Sequence, residues 1–429
     1  MREMKDSGVE WIGEIPETWI VERLQWHLDE IKESNSPIKT TQVLSLTNKA
    51  GVIPYEDKGE QGNKAKENYD EYKLAYPDTI VANSMNILIG SVGICRYFGC
   101  VSPVYYVFKP KENELLSYLN YVFQMEQFQK ELRRYANGIL EIRLRLSSAN
   151  IIKRYVAFPS HEEQIAISHF LYRKCTQIDA LISNAQQQIE KLKAYKQSVI
   201  TETVTKGFDP DVEMKDSGYD FIGMIPASWE ICKLRHIGTP QNGISKGGEF
   251  FGTGFPFVSY GDIYKNFTLP EAVDGLVNTT ETERKQYSVE RGDIFFTRTS
   301  ETIEEVGFSC VCEKTIPDAT FAGFVIRVRP FNDKLLTGFA KYYFRSSHHR
   351  FYLVKEMNLV TRASLSQGLL KSMPVLVPTK EEQQEISDYL DHKCSHIDKL
   401  IALKQQKIEK LQQYKKSLIY EYVTGKKEV

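Results

Sequence analysis

Two long stretches of the 429-residue chain have the hydrophobic spacing of helices that pair with another helix. From His161 to Val204 and from Glu381 to Val423, no proline or glycine interrupts the chain. Apart from one lapse at Lys404, apolar residues recur there at intervals of three or four, which is the pattern of a coiled-coil seam. They occupy positions 178, 182, 185, 189, 192, 195 and 199 in the first stretch and 397, 401, 408, 411, 414 and 418 in the second.

Each predicted helix has about 43 residues and would be ~65 Å long, since an α-helix rises ~1.5 Å per residue. This is longer than a small domain is wide, so packing on one domain does not explain the pattern. We therefore predict that the two helices pair with each other in antiparallel orientation and act as a spacer.

The remaining segments, roughly 20–158 and 230–377, contain short apolar runs rich in β-branched and aromatic residues. Such runs predict β-strands. Together with the long helices they predict an α+β fold. Examples are TQVLSL (41–46), DTIVAN (78–83), SPVYYVFKP (102–110), PFVSY (256–260), GDIFFTR (292–298) and FAGFVIRVRP (321–330).

The chain is an internal duplication. MKDSGVEWIGEIPETW (4–19) returns as MKDSGYDFIGMIPASW (214–229), and the segment 159–182 returns at 378–401. The inserts between these matched frames differ, apart from weak equivalences such as Arg143-x-x-Leu146-Ser147 with Arg362-x-x-Leu365-Ser366. Two identical frames that hold different inserts are suited to recognising two different things at a fixed separation.

The predicted division follows the repeat. Residues 1–158 hold the first frame and insert, and 159–206 form the first long helix. Residues 207–377 hold a connector, the second frame and the second insert, and 378–429 form the second long helix.

Composition is that of an ordinary soluble globular protein, without an apolar run of the ~20 residues that span a bilayer. The first residues lack the apolar run of a secretory signal. The seven cysteines are odd in number and show no metal-site spacing, which favours reduced thiols and a cytoplasmic location. Cys175 and Cys394 occupy matching positions and are interpreted as small buried hydrophobes.

The net charge of −1 argues against nucleic-acid binding by the chain as a whole. However, two basic clusters occupy the same place in both repeats. They consist of Lys130, Arg133, Arg134, Arg143, Arg145, Lys153 and Arg154, and of Lys341, Arg345, Arg350, Lys355, Arg362 and Lys371. A single basic cluster is usually a solvated surface. Because both clusters occupy the same place in inserts that otherwise differ, a solvated surface and a shared role are favoured about equally.

Motifs for catalysis are weak. The F-x-G-x-G segment 250–254 fits a methyltransferase loop but does not follow a strand, and the acidic segment 210–215 belongs to a connector. No phosphate-binding G-x-x-x-x-G-K-[ST] loop is present. His348 and His349 have no third partner at ligand spacing, so phosphate contact or exposure is favoured over a metal. We expect no catalytic, cofactor or metal residues in this chain.

The doubled W-I-G-x-I-P-x-x-W frame and the doubled P-x-x-E-E-Q…I-D-x-L-I helix start resemble the specificity (S) subunit of type I restriction–modification systems. The resemblance covers essentially the whole chain. Phe221 replaces the first tryptophan in the second copy, and Gln384 stands where the first copy has Ile165. The resemblance implies two α/β target recognition domains separated by an antiparallel coiled coil. Each domain would read half of an asymmetric bipartite DNA sequence.

The resemblance implies partners as well. The helices would dock two modification subunits, which pseudo-two-fold symmetry allows to bind equivalently. Restriction subunits would join them on double-stranded DNA. S-adenosylmethionine, ATP and Mg²⁺ would act in those partner chains and not in this one.

DNA contacts should come from the basic clusters for phosphates and from polar side chains on loops for bases. Arg143 and Arg362 form the main pair because they occupy the same place in the repeat. The predicted residues are Arg143, Arg145, Lys153, Asn83, Asn86 and Asn137 in the first domain, and Arg298, Arg362, Lys371, Thr297, Ser300 and Asn358 in the second.

Three other interpretations stay open. The chain could serve a type IIB or IIG system, in which one partner chain both modifies and cleaves DNA. It could be a coiled-coil scaffold whose inserts bind protein, which predicts no salt-dependent affinity for DNA. A nuclease or methyltransferase that acts alone is the weakest of the three.

Overall fold

The computed structural model describes residues 2–47, 51–59, 68–112, 115–137, 144–300, 306–356 and 363–429. The chain folds into two compact units, formed by Met1–Gln186 with Gln406–Val429 and by Gln187–Gln405. Each unit combines one frame and its insert with the start of one long helix and the end of the other. The four consecutive segments predicted from the sequence are therefore shared between two units.

The first unit contains a frame hairpin, a central sheet, smaller strand pairs and short helices. Its strands are β1 Met4–Asp6, β2 Glu14–Pro16, β3 Ile20–Arg23, β4 Leu28–Ile31, β5 Leu44–Thr47, β6 Gly51–Pro54, β7 Lys73–Ala75, β8 Thr79–Asn83, β9 Val92–Cys95, β10 Gly99–Val101, β11 Tyr105–Pro110 and β12 Tyr155–Phe158. Its helices are α1 Leu115–Gln124, α2 Glu126–Arg133 and α3 Ser148–Ile152, and the long helix α4, His161–Lys206, begins here.

The second unit repeats this order with different lengths. Its strands are β13 Met214–Asp216, β14 Met224–Pro226, β15 Glu230–Lys233, β16 Gly238–Asn242, β17 Phe251–Val258, β18 Leu276–Val277, β19 Ile294–Thr297, β20 Thr299–Ser300, β21 Ser309–Val311, β22 Thr320–Phe321, β23 Val325–Pro330, β24 Ala363–Ser364 and β25 Pro374–Val377. Its helices are α5 Tyr260–Lys265, α6 Glu281–Gln286, α7 Thr337–Tyr343, α8 Ser347–Glu356 and α9 Gln367–Ser372, and the long helix α10, Lys380–Val423, begins here.

Equivalent four-stranded antiparallel sheets lie at the centre of both inserts. The strand order is β4-β11-β8-β9 in the first unit and β16-β23-β19-β21 in the second. β3 pairs with β12, and β15 with β25, so the two ends of each insert meet at its frame. All six predicted strand segments contain an observed strand, and the α+β fold class is confirmed.

The long helices pair in antiparallel orientation within each unit. In the first unit Asp179 contacts Lys415 while Phe170, nearer the start of α4, contacts Tyr422, nearer the end of α10. In the second unit the same reversal is given by Lys196 with Asp398 and Gln188 with Lys404. α4 ends at Lys206, where the predicted segment 159–206 ends, and α10 ends at Val423, inside the predicted segment 378–429.

Each frame is held on the first turn of a long helix by one buried tryptophan. The indole nitrogen of Trp19 donates to Glu163 Oε2 at 2.9 Å, and that of Trp229 donates to Glu382 Oε1 at 3.1 Å. Both tryptophans are fully buried, so each N–H needs an acceptor. The carboxylate also suits the helix N-terminus, where the dipole favours negative charge.

Within the described residues, none of the helices combines the length and the apolar character that crossing a bilayer requires.

Replacing Trp229 by Phe should lower the free energy of unfolding by about 2 kcal/mol, because the hydrogen bond from a buried indole to a charged, half-buried carboxylate is lost. Urea denaturation followed by circular dichroism measures this change. Trp26→Phe is the matched control, since Trp26 is 55% exposed, and should change stability by less than ~0.5 kcal/mol. Equal stability of the two variants would contradict the role assigned to the frame tryptophans.

Candidate nucleic-acid interface

In the first unit, the central strand β8 leaves the sheet at a surface that we call the first edge, residues 83–86, 137 and 145–146. Asn83 Oδ1 accepts from the Met85 amide at 3.0 Å and closes the turn there. The amide of Leu146 donates to the Ser84 carbonyl at 3.2 Å. Asn137 and Arg145 exchange both backbone hydrogen bonds at 2.9 Å. The sheet thus anchors the chain on both sides of residues 138–143, which lie outside the described residues.

The second unit has an equivalent surface, the second edge, residues 297–300 and 363–365. Here β19 leaves the sheet, and the amide of Leu365 donates to the Arg298 carbonyl at 2.7 Å. β20 then pairs with β24. Leu365 therefore matches Leu146, as the weak equivalence in the sequence indicated, and the hydrogen bonds place Arg298 where the first edge has Ser84.

A short helix follows each edge and begins with the same serine cap. The hydroxyl of Ser147 accepts from the Asn150 amide at the start of α3, and that of Ser366 accepts from the Leu369 amide at the start of α9. Such caps satisfy amides that the first helical turn leaves unpaired. Lys153 and Lys371 lie exposed at the far ends of these helices.

The structure brings most of the predicted DNA-contacting residues to these surfaces. Asn86, Asn137, Arg145, Lys153 and Lys371 are exposed, and Ser300 is half-buried. Arg145, Lys153 and Lys371 have no ion pair with any residue that the structure describes. Arg143, Asn358 and Arg362 lie outside the described residues, so their roles stay predictions.

Three of the predicted DNA-contacting residues make hydrogen bonds within the protein. Thr297 is fully buried, and its hydroxyl accepts from the Phe308 amide at 2.9 Å. Asn83 is 8% exposed and closes its own turn. Both positions argue against direct contact with a base and favour a role in shaping the edge. Arg298 is half-buried, and its Nη1 lies 3.4 Å from the Gly323 carbonyl.

Three of the seven residues of the first basic cluster are engaged inside the first unit. They make contacts with neighbouring carboxylates and rings: Lys130 with Glu126 at 2.9 Å, Arg134 with Glu10 at 2.9 Å, and Arg154 over Tyr135 at 3.5 Å from the ring centre. Surface ion pairs of this kind add little stability, but they reduce the positive field available to phosphates.

The second basic cluster contains a structural arginine, which the sequence did not indicate. Arg345 is 9% exposed and donates to the carbonyls of Ser309 at 2.6 Å, Ile263 at 2.8 Å and Asn266 at 2.7 Å. The rings of Phe267 and Phe308 enclose its guanidinium. Burial lowers the pKa of Arg345 to about 10. Lys341 is also occupied, by Asp391 at 2.6 Å. Phosphate contact is therefore not available to Arg345.

His349 is a core residue, and the expectation of exposure or phosphate contact is wrong for it. Its Nδ1 lies 2.8 Å from Ser346 Oγ, and it packs against the rings of Tyr343 and Phe344. Burial lowers the pKa of His349 to about 3, so the imidazole is neutral near pH 7. Across the described residues, no group of three or more His, Cys, Asp or Glu could hold a metal ion.

Phe324 lies beside the second edge and was not predicted from the sequence. It is 63% exposed, and its carbonyl accepts from the Arg298 amide at 2.9 Å. A tight turn holds it, because the Val325 amide donates to the Ala322 carbonyl at 3.0 Å. The apolar run 321–330 predicted one continuous strand, whereas Ala322-Gly323 inside that run marks a turn.

Comparison with known proteins agrees with this architecture. The family model of the type I restriction modification DNA specificity domain matches residues 226–413. The match covers the second frame, the second insert and most of α10, and the first half of the chain repeats the same frame.

Two relatives extend the likeness beyond the matched domain. The type I restriction enzyme MjaVIII specificity subunit of Methanocaldococcus jannaschii is 25% identical over 276 residues, which are 63% of this chain and 61% of that protein. The putative type I restriction enzyme MjaX specificity subunit of the same organism is 23% identical and covers 97% of this chain and 95% of its own length. The resemblance to type I specificity subunits is thus confirmed.

Solved structures share the fold. A chain from work on complex assembly and conformational transition of the type I R-M system has a TM-score of 0.73 at 13% identity, covering 95% of this chain and 98% of its own. The HsdS subunit from Thermoanaerobacter tengcongensis has a TM-score of 0.50 at 13% identity, covering 96% of this chain and 98% of its own.

Arg345→Gln should lower the free energy of unfolding by about 3 kcal/mol, because buried carbonyls lose their donors. Lys371→Gln, in an exposed position of the same sequence cluster, should change it by less than ~0.5 kcal/mol. Chemical denaturation of the full chain compares the two. An Arg345→Gln variant that keeps wild-type stability would restore this arginine as a candidate for phosphate contact.

Proposed function

We propose that this chain is the sequence-specific DNA-recognition subunit of a type I restriction–modification complex. The observation that carries the proposal is the pair of equivalent edges, which differ in their side chains and stand on one repeated frame. Each insert would read one half of an asymmetric bipartite target. The paired helices would set the unread gap between the halves.

The chemistry of the edges suits base recognition. In the first unit, the exposed amides of Asn86 and Asn137 can each donate and accept, as contact with adenine requires. In the second unit, Arg298 and Ser300 present donors, and Phe324 adds an apolar surface of the kind that contacts thymine methyl groups. Exposed Arg145, Lys153 and Lys371 would position the duplex through its phosphates.

The long helices carry a repeated surface that suits two copies of one partner. Exposed Glu190, Lys191, Tyr195 and Ser198 recur as exposed Glu409, Lys410, Tyr414 and Ser417. The two tyrosines of this block are 49% and 54% exposed. Exposed residues that two diverged repeats share do not serve the packing of either repeat, and they fit the docking of two modification subunits.

The remaining chemistry would belong to partner chains. We place methyl transfer with S-adenosylmethionine in the modification subunits, and ATP-driven translocation and Mg²⁺-dependent cleavage in restriction subunits. This chain would then contribute recognition and geometry without catalysis, in the cytoplasm, where the DNA lies. Its net charge of −1 predicts weak DNA binding by the isolated chain.

Methylome sequencing of a methylation-deficient host that carries this chain with its modification subunit tests the proposal. We expect one asymmetric motif in two parts, separated by a gap of fixed length. The host with the modification subunit alone is the control and should lack that motif.

A continuous motif would contradict two reading units. An absent motif, together with no salt-dependent DNA affinity of the assembled complex, would favour the protein-binding scaffold instead. Co-purification of a single partner that both methylates and cleaves would assign the chain to a type IIB or IIG system.

A further inference from the structure

The first unit contains a cavity that the proposed function does not use. It has a volume of about 510 Å³ and lies between β9, α1 and the first turns of α4. This volume falls within the ~300–1,000 Å³ of small-molecule sites. The described residues that line it are mostly polar: Thr47, Gly51, Val92, Gly93, Ile94, Arg96, Ser117, Asn120, Tyr121, Gln124, Ser168, His169 and Tyr172.

Two polar atoms among these residues are buried without a hydrogen-bond partner. They are the hydroxyl oxygen of Ser168, a residue only 5% exposed, and Oδ1 of Asn120. Buried polar groups are rarely left unpaired in folded proteins, because they lose their hydrogen bonds to water without replacement. In this conformation both atoms are closed to solvent, so a molecule in the cavity would supply the missing partners after a rotation of the two side chains.

The second unit also has a pocket at this place, of about 570 Å³, but its polar side chains are paired with each other. Lys341 stands where the first unit has Asn120, and its ammonium pairs with Asp391, which stands in place of Tyr172. Arg345 replaces Gln124 and turns into the protein.

The helices of the second unit also approach more closely. A Cβ on Gly338 would lie 2.4 Å from Ser387 Oγ, at the place where Ser117 and Ser168 line the cavity. The two copies of the repeat therefore differ in the chemistry of this lining: the first has unpaired polar atoms, and the second has an ion pair between Lys341 and Asp391.

The lining indicates an anionic ligand that carries a ring. None of the described lining residues is a carboxylate, whereas Arg96 and His169 offer donors at the surface end. In the adjoining groove, Glu126 and Asp179 are already paired with Lys130, Lys416 and Lys415. Tyr121 and Tyr172 provide aromatic faces, and an amide such as that of Asn120 can bond the edge of a heterocycle.

We propose that this cavity binds a small organic phosphate of mononucleotide size. Its phosphate would contact Arg96, His169 and the Ser168 hydroxyl, through the charge-assisted hydrogen bonds that favour arginine at phosphate sites. Its ring would lie against Tyr121 and Tyr172, with Asn120 at the ring edge.

Isothermal titration calorimetry of the full chain with AMP tests the proposal, with adenosine and inorganic phosphate as separate arms. We expect one AMP per chain and binding at least ~tenfold weaker for either fragment alone. Arg96→Ala should weaken AMP binding at least ~tenfold. Asn120→Lys, which introduces the residue of the second unit, should abolish it. Ser168→Ala is a milder change. It should weaken AMP binding and leave the circular dichroism spectrum and the melting temperature unchanged.

Arg235→Ala, an exposed arginine of the second unit, is the matched control and should bind AMP like the wild type. Absence of AMP binding at millimolar concentration would mean that the cavity holds water only and would overturn the proposal. Binding that survives Arg96→Ala and Asn120→Lys and is displaced by a short DNA duplex would assign AMP to the DNA-contacting edges and overturn it too. Since the readout involves no methylation, it is independent of the proposed recognition of DNA.

Discussion

The docking of each frame onto the first turn of a long helix is the interaction on which the rest of the structure depends. A buried indole N–H and a helix-starting glutamate meet in both copies, Trp19 with Glu163 and Trp229 with Glu382. The strand pairs that close each insert, β3 with β12 and β15 with β25, lie directly beside this contact in the chain. Because the frame holds both ends of an insert, the surface of that insert can change without disturbing the helices.

Much of this architecture could be predicted from the sequence because local signals carry it. Uninterrupted spacing of apolar residues predicted α4 and α10, and short β-branched runs predicted β8, β11, β19 and β23. The grouping into two units was missed, since it depends on which half of each helix packs on which insert. The hydrophobic pattern is the same along the whole helix, so it holds no information about that choice.

The candidate site was predictable in place but not in detail. The shared Arg-x-x-Leu-Ser spacing predicted equivalent places for Leu146 and Leu365, and both amides donate to the chain that leaves the central sheet. The burial of individual basic residues could not be predicted from the sequence. Arg345 is buried and Lys371 is exposed because of the residues that surround them in space. A count of basic residues therefore overstated the positive surface, and part of each cluster is occupied by its own unit. Recognition would then depend on a few exposed groups at each edge and on partners for affinity.

The central claim is that two units read DNA independently on one frame, and methylomes of two single-edge variants test it most directly. Asn86→Ala alters the first edge, and Arg298→Ala alters the second. The account predicts that each variant relaxes the motif in one half only, a different half for each, with the gap length unchanged. Relaxation of the same half by both variants, or a change in the gap, would contradict it.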